Sequence, residues 1–320
     1  MKSIEYKIAQ SEADWCRYKK ENIGIRESAL SLRRAIKKRV WKKFYGMTRT
    51  ICIGLKKAVF HPSYEKNKEN IVVSLTSTVA RIRHIFPTLY SIAGQIHKPD
   101  LIVLWLSEDA VFPKQTLAKI KAMGILVAFR KDIGPNTKYH YAFAEYKNDL
   151  IITVDDDIIY HKEMIHELYN TFLEHPELVI ARRVHKIRFN YEKQPVKYRD
   201  WFWEYRDSEK PSHELLATGV GGVLYPPAVT NLKCWENIDF LKVCPTNDDI
   251  WLKFCELSQN IKVCAVTSSL FYNDVVIERT QKNALATENI DNGKNDERIK
   301  SCLQYFGMSD DFCEKIFSEE

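Results

Sequence analysis

No two of the eight cysteines lie closer than nine residues apart, so the chain has no C-x-x-C pair of the kind that builds a zinc ribbon or a redox centre. Free thiols in a reducing compartment are the simplest account. No apolar run approaches the roughly 20 residues needed to span a bilayer, and residues 1–7 lack the apolar core of a signal peptide. The expectation is therefore a cytoplasmic protein, neither secreted nor membrane-spanning. All nine histidines lie at or before His213, which removes a late imidazole from the candidate metal ligands and catalysts. A G-x-S-x-G nucleophile elbow is also missing.

What is present is ordinary for a globular chain, 45% hydrophobic and 28% charged, enough to bury one large α/β core. The charge is unevenly placed. Residues 1–57 hold sixteen Lys/Arg against five Asp/Glu, which exceeds the +6 of the whole chain and leaves the remainder acidic. From Arg33 to Lys57 there are ten basic residues and no acid, with Leu32, Ile36, Val40 and Phe44 on one helical stripe. Such a helix suits an anionic membrane surface, where each cation contributes about 1 kcal/mol. Packing its stripe on a catalytic domain is the second reading. Nucleic-acid binding is the weakest of the three readings, and no nucleic-acid partner is expected.

After a polar break at residues 61–70, apolar runs alternate with helical patterns. Ile71–Thr76, Leu101–Leu106, Ile125–Phe129 and Leu150–Val154 read as strands; Arg81–Ile96, Gln115–Met123 and Tyr139–Tyr146 read as helices. Alternation at this pitch implies βαβ units and a largely parallel sheet covered on both faces. Ligands of such sheets gather at the carboxyl ends of the strands. The reactive residues should follow the apolar runs.

They do. Asp155, Asp156 and Asp157 come directly after Leu150–Val154, and three adjacent carboxylates between apolar runs repel one another unless something compensates them. A hard divalent cation does so, and Mg²⁺ commonly combines one or two carboxylates with phosphate oxygens. A charged turn capping the next helix is the competing structural reading. A continued strand would put Asp155 and Asp157 on one side and Asp156 on the other. Thr76, Ser77 and Arg81 follow the first strand, where hydroxyls and a guanidinium could meet a base or phosphate, or merely cap a helix. Gly134-Pro135 forces a turn that leaves Thr137 and Lys138 facing the same edge. Gly219, Gly221 and Gly222 are three of only eleven glycines, and they allow a ligand or another backbone to approach closely, or form a bulge. Asp248 and Asp249 sit at the predicted start of a helix running to Leu257, capped by Thr246 or Asn247, where acids suit the helix dipole and a general base would be rigidly held.

In order along the chain, Gly134-Pro-Asn-Thr-Lys138, Val154-Asp-Asp-Asp-Ile158, Gly219-Val-Gly-Gly-Val-Leu-Tyr-Pro-Pro227 and Asn247-Asp-Asp-Ile-Trp251 resemble bacterial GT-A fold glycosyltransferases similar to family 2, of the kind that build capsule, lipopolysaccharide or other surface glycans. The resemblance covers roughly residues 70 to 280. It implies a Rossmann-like, mostly parallel central sheet flanked by helices. It also implies a nucleotide-sugar donor, a glycan or lipid-linked acceptor, and Mn²⁺ or Mg²⁺ held by Asp155 and Asp157 as a D-x-D motif. Thr76, Ser77, Arg81, Lys138, Asp156, Gly221 and Gly222 would then frame the donor. Asp249, with Asp248 beside it, would be the base of an inverting displacement. The aromatic and basic stretch from Glu174 to Leu216 supplies the candidate acceptor wall, with Trp201, Trp203 and Arg182 facing the sugar, or else packs into the core.

Three regions follow from this reading: a basic amphipathic N-terminal segment over residues 1–60, a catalytic domain over 70–282, and a polar loop and helix over 283–320. A metal-dependent nucleotidyl- or phosphotransferase would share the carboxylates and the lysine but would want more carboxylates for two metals. A non-catalytic binding module is the second rival.

Overall fold

The computed structural model describes residues 4–15, 17, 60–66, 69–206, 210–267, 269–277 and 293–317. Helix α1 covers residues 4–15. The first half of the central unit then runs β1 (Ile71–Thr76), α2 (Phe86–Ala93), β2 (Leu101–Ser107), α3 (Lys114–Ala122), β3 (Leu126–Arg130), α4 (Thr137–Glu145) and β4 (Leu150–Thr153). Every predicted strand is present, and the helix expected from Arg81 begins instead with a short 3-10 turn at Ile82–His84 before α2.

The second half departs from strict alternation. It contains β5 (Ile158–Ile159), α5 (Met164–Glu174), β6 (Val179–Ala181), β7 (Val184–Lys186), β8 (Leu215–Ala217), β9 (Val223–Tyr225), α6 (Pro227–Thr230), α7 (Phe240–Val243), α8 (Asp248–Ser258), β10 (Val263–Ala265) and β11 (Val275–Val276). Two further helices, α9 (Lys294–Tyr305) and α10 (Phe312–Phe317), close the described chain. Seven strands form one sheet in the order β10-β6-β9-β4-β1-β2-β3. The pairs β4–β1, β1–β2, β2–β3 and β10–β6 are parallel, while β9 runs antiparallel to both β4 and β6. Two small antiparallel ribbons, β7–β8 and β5–β11, stand beside it.

Alternation along the strands builds two cores. Val72, Val103, Trp105 and Ile151 point to the face covered by α4, α8, α9 and α10, and Val73, Leu75, Leu104 and Ile152 point to the face covered by α2, α3 and α5. Both faces are dry, which is why the strands read as continuous apolar runs rather than as alternating ones.

The chain's ends join this body. Ile8 on α1 is buried in the first core, Glu12 pairs with Arg188 at 2.7 Å, and the Arg188 guanidinium lies 4.5 Å from the Trp15 ring. Helix α9 packs Ile299 and Cys302 against α8, and Asn295 accepts a hydrogen bond from Asn247 at 2.9 Å. The basic stripe at residues 33–57 lies outside the described residues. Among the described residues no helix is long and apolar enough to cross a membrane.

Candidate active site

Parallel pairing sets the site. Ser74 on β1 is in register with Thr153 on β4, so the residues just beyond both strands, Ser77 and the three aspartates, emerge side by side at one edge of the sheet. Strand β4 stops at Thr153, and the chain turns at Asp156 and Asp157. The two-residue alternation therefore does not continue through the aspartates. Asp156 and Asp157 both meet Arg81, whose Nη2 lies 2.5 Å from Asp156 Oδ1 and 2.7 Å from Asp157 Oδ2. Ser77 Oγ donates to the other Asp156 oxygen at 2.5 Å. Thr76 donates instead to the Trp105 carbonyl at 3.1 Å, so its hydroxyl is engaged within the sheet.

Asp155 turns the other way. Its Oδ1 lies 2.6 Å from Lys138 Nζ, and the same ammonium lies 3.0 Å from Asp248 Oδ2. Lys138 reaches this point because the turn at Gly134–Asn136 starts α4 beneath the sheet edge, where the lysine is buried at 5% exposure. Burial alone would lower its pKa, but Asp155, Asp248 and Asp249 hold it well above the ordinary lysine range. For Asp155, burial pushes upward, and the adjacent Lys138 outweighs it to leave the carboxyl below its usual value.

Asp248 and Asp249 begin α8, which Asn247 caps by accepting the Ile250 amide at 2.9 Å. Of the two predicted caps, it is Asn247 that serves, and a cap of this kind is worth about 1 kcal/mol. Asp249 Oδ1 accepts the Gly219 amide at 3.0 Å. Burial first, then Asp248 beside it, pushes the Asp249 carboxyl up to about 8. Asp248 is raised as well, by burial against the opposing pull of Lys138. Asp156 rises to about 6, again chiefly by burial.

The glycines are required by close approach. A Cβ at Gly219 would stand 2.9 Å from Lys138 Nζ and 3.4 Å from Asp249 Oδ1, and one at Gly221 would stand 2.6 Å from Arg183 Cβ. Gly222 follows on the same turn and passes directly into β9.

The site thus gathers Asp155, Asp156, Asp157, Asp248 and Asp249 around two cations, Arg81 and Lys138. That excess of negative charge, with Asp155 Oδ2 taking no hydrogen bond among the described residues and its side chain 31% exposed, fits a divalent cation whose shell a phosphate completes. Three metal-type side chains come within 4.8 Å of one another elsewhere, at His161, Glu163 and Glu167. Both oxygens of Glu167 are already engaged there by Arg182, Ser269 and the Leu270 amide, so that group is no open cation site.

The predicted acceptor wall is corrected in two of its three residues. Arg182 has no exposed side-chain surface and is locked between Glu167 and Asp274. Trp201 is 2% exposed, its indole donating to the Val196 carbonyl at 3.0 Å. Trp201 belongs to the interior because it packs into the first core, and Arg182 because Glu167 and Asp274 enclose its guanidinium. Trp203 is half-buried against the His185 ring at 4.8 Å. Arg183, which lies in the stretch read as the acceptor wall, stands beside Thr218 at 3.0 Å and lowers the pKa of Asp155. Sequence reasoning passed over Tyr160, whose hydroxyl accepts the Asp155 amide at 2.8 Å and which no local pattern marks.

Residues 82–223 match the family model described as glycosyl transferase family 2. This stretch, somewhat under half of the chain, is thus similar to family 2 glycosyltransferase domains. The match takes in Lys138, the three aspartates and the glycine turn, and stops before α8. The matched stretch lies in an α/β architecture, a mostly parallel sheet between helices.

Among solved structures, glucosyl-3-phosphoglycerate synthase from Mycobacterium tuberculosis, with Mn²⁺, uridine diphosphate and glucosyl-3-phosphoglycerate, is similar at 16% identity and a TM-score of 0.30, over 38% of this chain and 48% of that one. Its complex with Mn²⁺, uridine diphosphate and phosphoglyceric acid gives 17% identity and 0.30 over 41% and 46%. Its complex with Mg²⁺ and uridine diphosphate gives 16% and 0.30 over 38% and 48%. This chain spans about half the length of that enzyme. No curated protein matches it.

Proposed function

We propose that the glycosyltransferase moves a sugar from a nucleotide-sugar donor to an acceptor hydroxyl with inversion, Asp249 serving as the base. The observation that carries this reading is the bridge through Lys138, which ties Asp155 on the donor side to Asp248 at the head of the helix that bears Asp249. Asp249 is half-buried, fixed by the Gly219 amide, and raised to about 8. A carboxylate so placed takes the proton of an incoming hydroxyl as that oxygen attacks the anomeric carbon from the face opposite the leaving nucleotide.

Asp155 and Asp157 would hold Mn²⁺ or Mg²⁺, which supplies positive charge to the departing diphosphate. Lys138 adds to that charge from a buried position, where its field is little screened. Arg81 is the second cation within reach of a donor phosphate, at present engaged by Asp156 and Asp157. Ser77, Asp156, Gly221 and Gly222 complete the donor side. Thr76 shapes the end of β1 through its bond to the Trp105 carbonyl.

The acceptor is a glycan or a lipid-linked glycan, and the product belongs to capsule, lipopolysaccharide or another surface polysaccharide. Trp203 is the aromatic of the original acceptor set that keeps exposed surface. The basic run from Arg33 to Lys57 would keep the enzyme at an anionic membrane face on the cytoplasmic side. Removing the whole N-terminus is a poor test, because α1 is built into the core. Replacing Lys37, Lys38, Arg39, Lys42 and Lys43 by Gln should abolish co-sedimentation with anionic vesicles and leave donor hydrolysis intact. Retained vesicle binding would rule the membrane role out.

Product analysis tests the chemistry. Release of a nucleoside diphosphate together with an inverted glycoside is the expected result. Pyrophosphate as product would instead favour a nucleotidyltransferase.

A further inference from the structure

Arg182 directly follows β6, and its side chain has no exposed surface yet is held by several partners. Its Nε lies 2.6 Å from Glu167, its Nη1 lies 2.8 Å from Asp274 Oδ2, and its Nη2 lies 3.3 Å from Asp274 Oδ1. The same Nη1 donates to the Gly221 carbonyl at 3.0 Å, while the Arg182 backbone amide donates to the Gly222 carbonyl at 3.3 Å. One residue therefore holds both carbonyls of the glycine pair.

Asp274 extends the arrangement to the aspartates. Its Oδ1 accepts the His161 amide at 2.7 Å, and the strand that follows it, β11, pairs with β5 immediately after Asp157. The Ile277 amide then donates to the Asp157 carbonyl at 2.7 Å. Glu167 secures the other end of the same strap, accepting the Leu270 amide at 3.1 Å and the Ser269 hydroxyl at 3.2 Å. A bidentate guanidinium–carboxylate pair in a dry setting fixes geometry as well as energy, because neither partner is satisfied in any other arrangement.

We propose that Arg182 and Asp274 are positioning residues that lock the Gly221–Gly222 turn and the Asp157 peptide into one rigid unit, so that both faces of the donor site keep a common register. The inference rests on the reading that this turn and Asp157 frame the donor. Neither residue touches substrate; they act through the backbone of the glycines and of Asp157. The 269–277 strap is in this view part of the donor site's frame although it contributes no side chain to the reaction.

Asp274→Asn is the informative variant, since the amide keeps the size and one acceptor while losing the charge. Arg182→Lys serves as a second variant, retaining charge but not the fork. Hydrogen–deuterium exchange on the full chain compares both with Ile120→Ala, a core substitution on α3 far from the network. The amides of Arg182, Gly222, His161 and Ile277 should exchange at least tenfold faster in Asp274→Asn and Arg182→Lys, with α3 and β2 unchanged. Mn²⁺ affinity, read from the spectrum of the free ion, should weaken about fivefold. Exchange that is unaltered at those amides, or faster everywhere as in Ile120→Ala, would overturn the proposal. A wild type that binds no Mn²⁺ counts against the donor-site reading, and the exchange comparison still decides the positioning role.

Discussion

Asp249 Oδ1 accepts the backbone amide of Gly219 at 3.0 Å, and this bond joins the head of α8 to the glycine turn at the end of the sheet. The carboxylate is thereby held by a main-chain group rather than by a mobile side chain, and in the proposed mechanism its second oxygen is the one that takes the proton.

Replacing Asp249 by Asn should lower kcat by roughly 10²- to 10⁴-fold, the usual contribution of a positioned general base. Donor affinity should stay within twofold, because the amide oxygen still accepts from Gly219. Steady-state kinetics with separate donor titration checks this. A variant that keeps kcat would exclude Asp249 as the base.

The raised pKa of Asp249 makes two connected pH predictions. Activity should increase with pH along an acid limb governed by this group, since only the ionised form accepts the proton. Stability should move the opposite way. The folded state holds the proton up to about 8, whereas the unfolded chain releases it near the ordinary aspartate value of 3.8, so stability falls as pH rises across that window. Thermal melts from pH 4 to 8 should show a shallower decline for Asp249→Asn than for the wild type.

Gly219 and Gly221 should separate stability from activity. An added methyl at Gly221 meets Arg183 Cβ at 2.6 Å, a contact that only backbone movement relieves, so Gly221→Ala should cost about 1–3 kcal/mol and lower the melting temperature. At Gly219 the nearest atom is the end of the Lys138 side chain, at 2.9 Å. Gly219→Ala should melt closer to the wild type while losing most of its turnover, because the ammonium must leave Asp155 and Asp248.

Lys138→Met leaves Asp155 and Asp248 without their shared cation. Breaking a buried pair in this way typically costs about 3–5 kcal/mol. Mn²⁺ should restore part of it, so the variant should gain more in melting temperature from the metal than the wild type does. Equal gains in the two proteins would mean that the metal does not reach Asp155.

Much of this was legible before any coordinates. The strands Ile71–Thr76 and Leu150–Thr153 carry continuous apolar runs, and a parallel sheet necessarily brings their carboxyl ends together, which places Ser77, Arg81 and the aspartates in one site. Local chemistry likewise narrows the cap of α8 to Thr246 or Asn247, and Asn247 serves. The sequence could not disclose which carboxylates share Arg81, because that depends on β4 ending at Thr153 instead of running on. Arg182 and Trp201 look like surface recognition residues by composition, but their burial comes from long-range partners, Asp274 and the first core, that no local pattern records. The helices after Gly293 were equally silent about their role in bracing Asn247.

The most direct test of the central claim is calorimetric titration of a panel of nucleotide sugars with and without Mn²⁺ into the wild type and Asp157→Ala. The account predicts that one donor binds only with the metal and that Asp157→Ala loses this binding while remaining folded. Donor binding indifferent to both Mn²⁺ and Asp157 would contradict it.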